Sequence, residues 1–156
     1  MKRLIIAAIA TTLAVPGFAG ANDAINKAAK EKGAVKTASG MVYKSIRDGK
    51  GKSPSASSTV EVNYRGTLTN GKEFDSSYKR KQSIKFPLSG VIPCWTEGVQ
   101  KMKVGGKAQL VCPPELAYGS RGAGQDVPPN ATLIFDVELL DVKYQPAGPG
   151  KQYRTY

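Results

Sequence analysis

The chain contains no histidine, two cysteines, one tryptophan and four phenylalanines in 156 residues. Without histidine there is no Ser–His or Cys–His nucleophile pair, no imidazole base and little material for a zinc site. Cys94 and Cys112 form no Cys-x-x-Cys motif, which argues against a dithiol redox centre. In an oxidising compartment two cysteines at this modest spacing are expected to bridge as a structural disulfide, contributing about 3 kcal/mol in the chain-entropy treatment. The sequence also lacks a phosphate-binding glycine loop, a metal-ligand cluster and an obvious close pair of carboxylates, so neither metal nor cofactor is expected. No apolar run approaches the roughly 20 residues needed to span a bilayer. Acidic residues are scarce, 12 against 23 Lys and Arg, for a formal net charge of +11.

What is present begins with Met1-Lys2-Arg3, an apolar run from Leu4 to Val15, and the small residues Phe18-Ala19-Gly20-Ala21. A charged start, a short apolar core and an Ala-x-Ala site make a secretory signal peptide over 1–21, cut after Ala21 or alternatively after Ala19. A buried N-terminal helix is the competing reading. The cations are scattered rather than gathered along one groove with stacking aromatics, so no nucleic-acid role is expected. The surplus charge favours solubility and weak attraction to anionic surfaces.

Residues 22–39 form a short basic lead-in with few large apolar side chains, able to make one helix around Asp23–Lys32 that stops at Gly33. From Gly40 the pattern turns to period two. Strands are expected over Met41–Arg47, Thr59–Arg65, a return strand through Phe74, Ser83–Leu88, Lys107–Cys112 and Thr132–Val142. Val60, Val62 and Tyr64 share one face, and Leu133, Phe135, Val137 and Leu139 another. Thr69-Asn70-Gly71-Lys72 predicts a type I′ hairpin. Pro93 opens a short helix with Trp95, Val99 and Met102 at helical spacing, ended by Gly105-Gly106. Pro113 to Asn130 offers no regular element, and a loop that long in a compact domain is usually functional. Asn130-Ala131-Thr132 is a formal glycosylation sequon that abuts a core strand and is treated as chance. The tail, 144–156, is rich in Pro, Gly and Lys and expected to be disordered. The fold class is therefore α+β: an antiparallel sheet of about five strands with one short helix laid across it, in a single domain over 40–143.

Six aromatics stand out: Tyr64, Phe74, Phe86, Trp95, Tyr118 and Phe135. All six could be core. Against that, Tyr118 lies in the irregular loop and Asp75 directly follows Phe74, placing a carboxylate beside an apolar cluster. Val62-Asn63-Tyr64-Arg65-Gly66, Gly71-Lys72-Glu73-Phe74-Asp75-Ser76-Ser77 and Val91-Ile92-Pro93-Cys94-Trp95-Thr96-Glu97-Gly98 resemble successive blocks of the FKBP-type peptidyl-prolyl cis-trans isomerase domain. So do Met102-Lys103-Val104-Gly105, Leu116-Ala117-Tyr118-Gly119 and the run from Val127-Pro128-Pro129 to Leu139. The resemblance extends in order from about Thr37 to Val142.

That resemblance implies an aromatic cleft between sheet and helix that receives an Xaa-Pro segment. Tyr64, Phe74, Asp75, Tyr118 and Phe135 match its catalytic positions, and Phe86, Val91, Ile92, Trp95 and Val127 its substrate-binding positions. Trp95 would be the floor under the prolyl ring, and the Tyr118 hydroxyl would meet a substrate carbonyl. Arg80 matches a position that braces the Asp and a Tyr from behind. The implied partners are proline-containing unfolded or partly folded exported proteins, with the macrolides tacrolimus and rapamycin as inhibitors. The implied place of work is the periplasm or the secreted milieu. Larger exported relatives carry a helical dimerisation region; with about eighteen residues between signal and domain, a monomer is expected here. Cys94 stands where many relatives carry Gly, and Ile84 where an aromatic is frequent. Two other readings stay open: a peptide-holding chaperone module with incidental isomerisation, and an interaction protein that uses its basic surface.

Overall fold

The computed structural model describes residues 19–144. The expected signal peptide therefore lies mostly outside the described residues, and the tail does so beyond Tyr144. The architecture is a seven-stranded antiparallel sheet with one helix against its inner face. Its strands are β1 (Ala34–Lys36), β2 (Val42–Arg47), β3 (Thr59–Leu68), β4 (Glu73–Ser76), β5 (Ile84–Pro87), β6 (Lys107–Cys112) and β7 (Leu133–Lys143). The helices are α1 (Ala19–Ala29), the single turn α2 (Ser77–Arg80) and α3 (Pro93–Gln100).

The strand order is β1-β2-β6-β7-β3-β4, with β5 also pairing with β3. The count exceeds the expected five for two reasons. β4 and β5 occupy one lane beside β3, opposite Arg65–Thr67 and Thr59–Val62 respectively, and α2 interrupts them. β1 adds an edge strand from within the lead-in, pairing Ala34–Lys36 with Val42–Lys44.

Alternation decides which side chains meet α3. Val60, Val62 and Tyr64 of β3, Leu110 and Cys112 of β6, and Leu133, Phe135, Val137 and Leu139 of β7 are buried with Trp95, Val99 and Met102 in one core. α3 approaches the sheet closely because Gly98 has no side chain; a Cβ there would lie 2.7 Å from Leu110. The other face of the sheet carries a second, smaller core in which Ile25 and Ala28 of α1 cover Val42 and Val111. The lead-in thus contributes a helix that borrows an apolar surface from the sheet. α1 runs through the expected cleavage position and ends before the expected Lys32, with residues 30–33 in turns.

Three local expectations need correction. α3 ends at Gln100 with Lys101 as its C-cap, rather than continuing to Gly105-Gly106. The β3–β4 hairpin is not a type I′ turn, since of its central residues only Gly71 has positive φ, at 87°. Gly71 N–H bonds Leu68 C=O at 2.9 Å and Leu68 N–H bonds Lys72 C=O at 2.8 Å, giving a three-residue loop that closes on a left-handed glycine. Asn70 does not have positive φ, and its side chain accepts from Lys72 N–H at 2.9 Å. The long loop after β6 is also more ordered than expected. It contains a 3₁₀ turn at Pro114–Leu116, a bridge between Ala123 and Val127, and a bond from Asn130 N–H to Gly119 C=O at 2.8 Å.

Candidate active site

The site sits at the N-terminal end of α3, where the sheet curls past the helix. Pro93 at the first helical turn supplies a residue with no N–H to orphan, and the chain before it, Val91-Ile92, runs extended along the cleft. Trp95 follows two residues later and points into the sheet, 5% exposed. Its ring meets Tyr64 at 5.2 Å and Phe135 at 5.2 Å, both edge-on, and Phe86 at 5.4 Å, tilted. Phe74 stands edge-on to Phe135 at 5.6 Å.

Phe74 reaches that position because β4 bulges there: Asp75 opposes Gly66 and Glu73 opposes Thr67, leaving Phe74 between them. A Cβ on Gly66 would fall 2.5 Å from the Phe74 ring, so glycine at 66 is what lets the aromatic lie across the strand. The result is an open cleft of about 510 Å³ lined by Tyr64, Phe74, Asp75, Ile84, Gly90, Val91, Ile92, Trp95, Tyr118 and Phe135. Sequence motifs from β3, β4, α3, the post-β6 loop and β7 are brought together in one wall.

One charged side chain interrupts the lining. Asp75 accepts the Tyr64 hydroxyl on Oδ2, and on Oδ1 the Arg80 guanidinium at 2.5 Å and Ser76 N–H at 2.9 Å. Arg80 also donates to the Tyr64 hydroxyl at 3.1 Å and lies over its ring at 5.8 Å. α2 exists to deliver this arginine: Ser76 caps its first turn, and buried Ser77 accepts from Tyr64 N–H at 2.8 Å and donates to Asn63 Oδ1 at 3.0 Å. Partial burial pushes the Asp75 pKa upward, but the bonds from Tyr64 and Arg80 and the Arg80 charge outweigh it, and the net shift is downward. The Tyr64 hydroxyl is pushed up, first by burial and then by its bond to Asp75. Asp75 is therefore an anion held against an aromatic wall.

Eight of the ten residues expected in the cleft line it. Phe86 and Val127 do not. Phe86 supports Trp95 from behind, and Val127 is 5% exposed within the main core, where the post-β6 loop folds back on itself. Ile84, noted in the sequence only as a departure at the cleft rim, and Gly90, not noted at all, also line the cleft. Ile84 follows from alternation, since it shares the inward face with Phe86 and Leu88, whereas Gly90 left no signal because its backbone is the lining. Cys94 and Cys112 are bridged and fully buried.

Residues 50–140 match the model of the family described as FKBP-type peptidyl-prolyl cis-trans isomerase. The FkpA isomerase of Escherichia coli strain K12 is 56% identical over 125 residues, covering 80% of this chain and 46% of that protein. The chain thus spans about half the length of the curated relatives it matches. The crystal structure of FkpA from Escherichia coli superposes with a TM-score of 0.80 at 53% identity, covering 84% of this chain and 61% of that one. The isomerase structure from Pseudomonas syringae pv. tomato gives 0.78 at 34% identity, over 83% of this chain and 95% of that one. The chain belongs to the FKBP-type peptidyl-prolyl cis-trans isomerase family.

Proposed function

We propose that the chain accelerates rotation about Xaa-Pro peptide bonds in exported polypeptides, and that it does so in the aromatic cleft. The observation that carries this reading is the anionic Asp75, braced by Tyr64 and Arg80, set into a wall of Phe74, Trp95 and Phe135. Rotation faces a barrier of about 18–20 kcal/mol because amide resonance must be broken. No bond is cleaved, so the reaction needs no nucleophile and agrees with a chain that has no histidine. An apolar cleft strips water from the prolyl carbonyl, which favours the less polar, twisted amide. Fixed groups then hold the twisted state more tightly than either planar one. A millionfold acceleration needs only about 8 kcal/mol of such differential binding.

The residues divide this work. Trp95 forms the floor for the prolyl ring, Val91 and Ile92 hold the substrate backbone, and the Tyr118 hydroxyl meets a substrate carbonyl. Asp75 acts by its charge on the rotating carbonyl carbon. Arg80 keeps that charge in place. The same cleft would receive tacrolimus and rapamycin. An exported location fits the N-terminal leader pattern and the buried disulfide, since such bonds persist in oxidising compartments.

The test is cis-trans exchange of a short Xaa-Pro peptide followed by NMR, with the full chain at catalytic concentration, with and without rapamycin. Fast exchange abolished by the macrolide is expected. Folded protein that leaves exchange at its spontaneous rate would overturn the reading and move a peptide-holding chaperone to the front.

A further inference from the structure

Two groups that would touch the substrate lack polar anchors of their own. The Trp95 indole nitrogen is buried and has no hydrogen-bond partner. Tyr118 is 41% exposed, and no hydrogen bond or ring contact among the described residues holds its side chain. Trp95 is placed by the backbone of α3 and by the rings it packs on. Tyr118 is placed by the loop that leaves β6, through the bond from Gly119 N–H to Pro114 C=O at 2.8 Å. Both therefore depend on the backbone that carries them, with no side-chain hydrogen bond to fix them.

The disulfide joins those two backbones. Cys94 lies in the first turn of α3, immediately before Trp95, and that turn has no side-chain cap. Cys112 is the last residue of β6 and leads through Pro113 into the 3₁₀ turn that carries the chain to Tyr118. Both half-cystines are 0% exposed. We propose that the Cys94–Cys112 disulfide is a positioning element of the cleft, fixing the floor at Trp95 relative to the loop that presents Tyr118. This rests on the isomerase reading above. The two cysteines touch no substrate; they act through the residues they hold. A bond whose sole role was stability could staple any two parts of the fold, whereas this one ties together the two walls between which a prolyl peptide would sit.

The test compares the oxidised full chain with two variants, C94A/C112A and C94A/C112V. The second keeps more of the buried volume and guards against a packing failure. Under conditions where circular dichroism shows the variants folded, kcat for an Xaa-Pro peptide should fall about tenfold, because small misplacements of groups acting in the transition state are costly in rate. KM should stay within about twofold. Exchange of the Gly119 amide should quicken by about tenfold in both variants, reporting a loosened loop. Folded variants with unchanged kcat would overturn the proposal, because a bond serving stability alone lowers only the melting temperature. Lowered kcat with unchanged Gly119 exchange would overturn the coupling of the two walls. If the oxidised chain itself shows no isomerisation, the isomerase reading fails. Gly119 exchange and the Trp95 indole ¹⁵N shift would then decide the positioning role by themselves.

Discussion

Among the described residues the same kind of three-residue constellation occurs twice. On the inner side, Tyr64, Asp75 and Arg80 are bonded together; on the outer face, Glu138 accepts from the Tyr78 hydroxyl at 3.0 Å and from Arg47 at 2.8 Å. The electrostatics run in parallel. For both carboxylates burial acts upward, the bonds from tyrosine and arginine outweigh it, and the net shift is downward. Both tyrosines are raised, first by burial and then by the carboxylate, Tyr78 to about 12. The clusters differ in what they face. Asp75 and Tyr64 border the aromatic cleft, while the outer cluster has Lys107 above the Tyr78 ring at 5.8 Å and solvent beyond. In the mechanism proposed above, the desolvated wall beside the inner cluster is what lets a fixed charge act on a substrate, and the outer cluster has no such wall.

The largest expected difference between the two regions is in stability. Trp95→Ala removes a buried ring with three aromatic neighbours and should cost about 3–5 kcal/mol. Tyr78→Ala removes a 40% exposed ring and should cost no more than about 1 kcal/mol. Urea unfolding of each variant decides this. Equal costs would mean that the outer cluster is part of the core and that the two regions are not separate in energy.

The next difference is in activity. If Asp75 acts as proposed, Asp75→Ala should lower kcat/KM for an Xaa-Pro peptide by about tenfold or more, since it removes the fixed charge. Glu138→Ala, which removes the matching outer carboxylate, should leave kcat/KM within about twofold. Peptide exchange by NMR measures both. A comparable loss in Glu138→Ala would show that the outer cluster reaches the cleft through α2, which supplies both Tyr78 and Arg80.

The inner region was far more legible in the sequence than the outer one. Period-two alternation in β3 and β7 named the inward residues Val60, Val62, Tyr64, Leu133, Phe135, Val137 and Leu139, and all are buried. Helical spacing placed Trp95, Val99 and Met102 against them. Tyr64 and Asp75 stood out from the residues themselves, but Arg80 was found only through family motifs, because no local pattern says that β4 ends in a turn that swings Arg80 back toward β3. The outer cluster was invisible, as Arg47, Tyr78 and Glu138 come from three elements whose registers combine only in the sheet. α1 was partly legible: a helix was expected, but its packing on Val42 and Val111 depends on apolar residues facing outward from strands whose other faces are core. Val127 matched a cleft position in sequence, yet the fold of its loop turns it into the core.

The smallest expected effect is on acidity, and it separates the two carboxylates most sharply. Asp75 has a folded pKa below its unfolded value, so its contribution to stability is present above the ordinary carboxylate range, about 3.9, and is lost as pH falls through the folded value. Glu138 has the same sign, so both clusters weaken together in acid. Isomerisation should respond to one of them. If Asp75 acts by its charge, the rate of folded protein stays flat from neutral pH down to about pH 4 and declines only below it; a proton donor would make the rate rise over that range. Asp75→Asn should therefore be slower wherever Asp75 is charged but lose the acid decline in rate, while retaining the acid loss of stability that Glu138 contributes. Glu138→Gln should do the reverse, keeping the acid decline in rate and unfolding less steeply in acid. Rate–pH and urea-midpoint–pH curves on the two variants make the comparison. An acid decline in rate that survives Asp75→Asn would assign the rate-controlling charge elsewhere in the cleft.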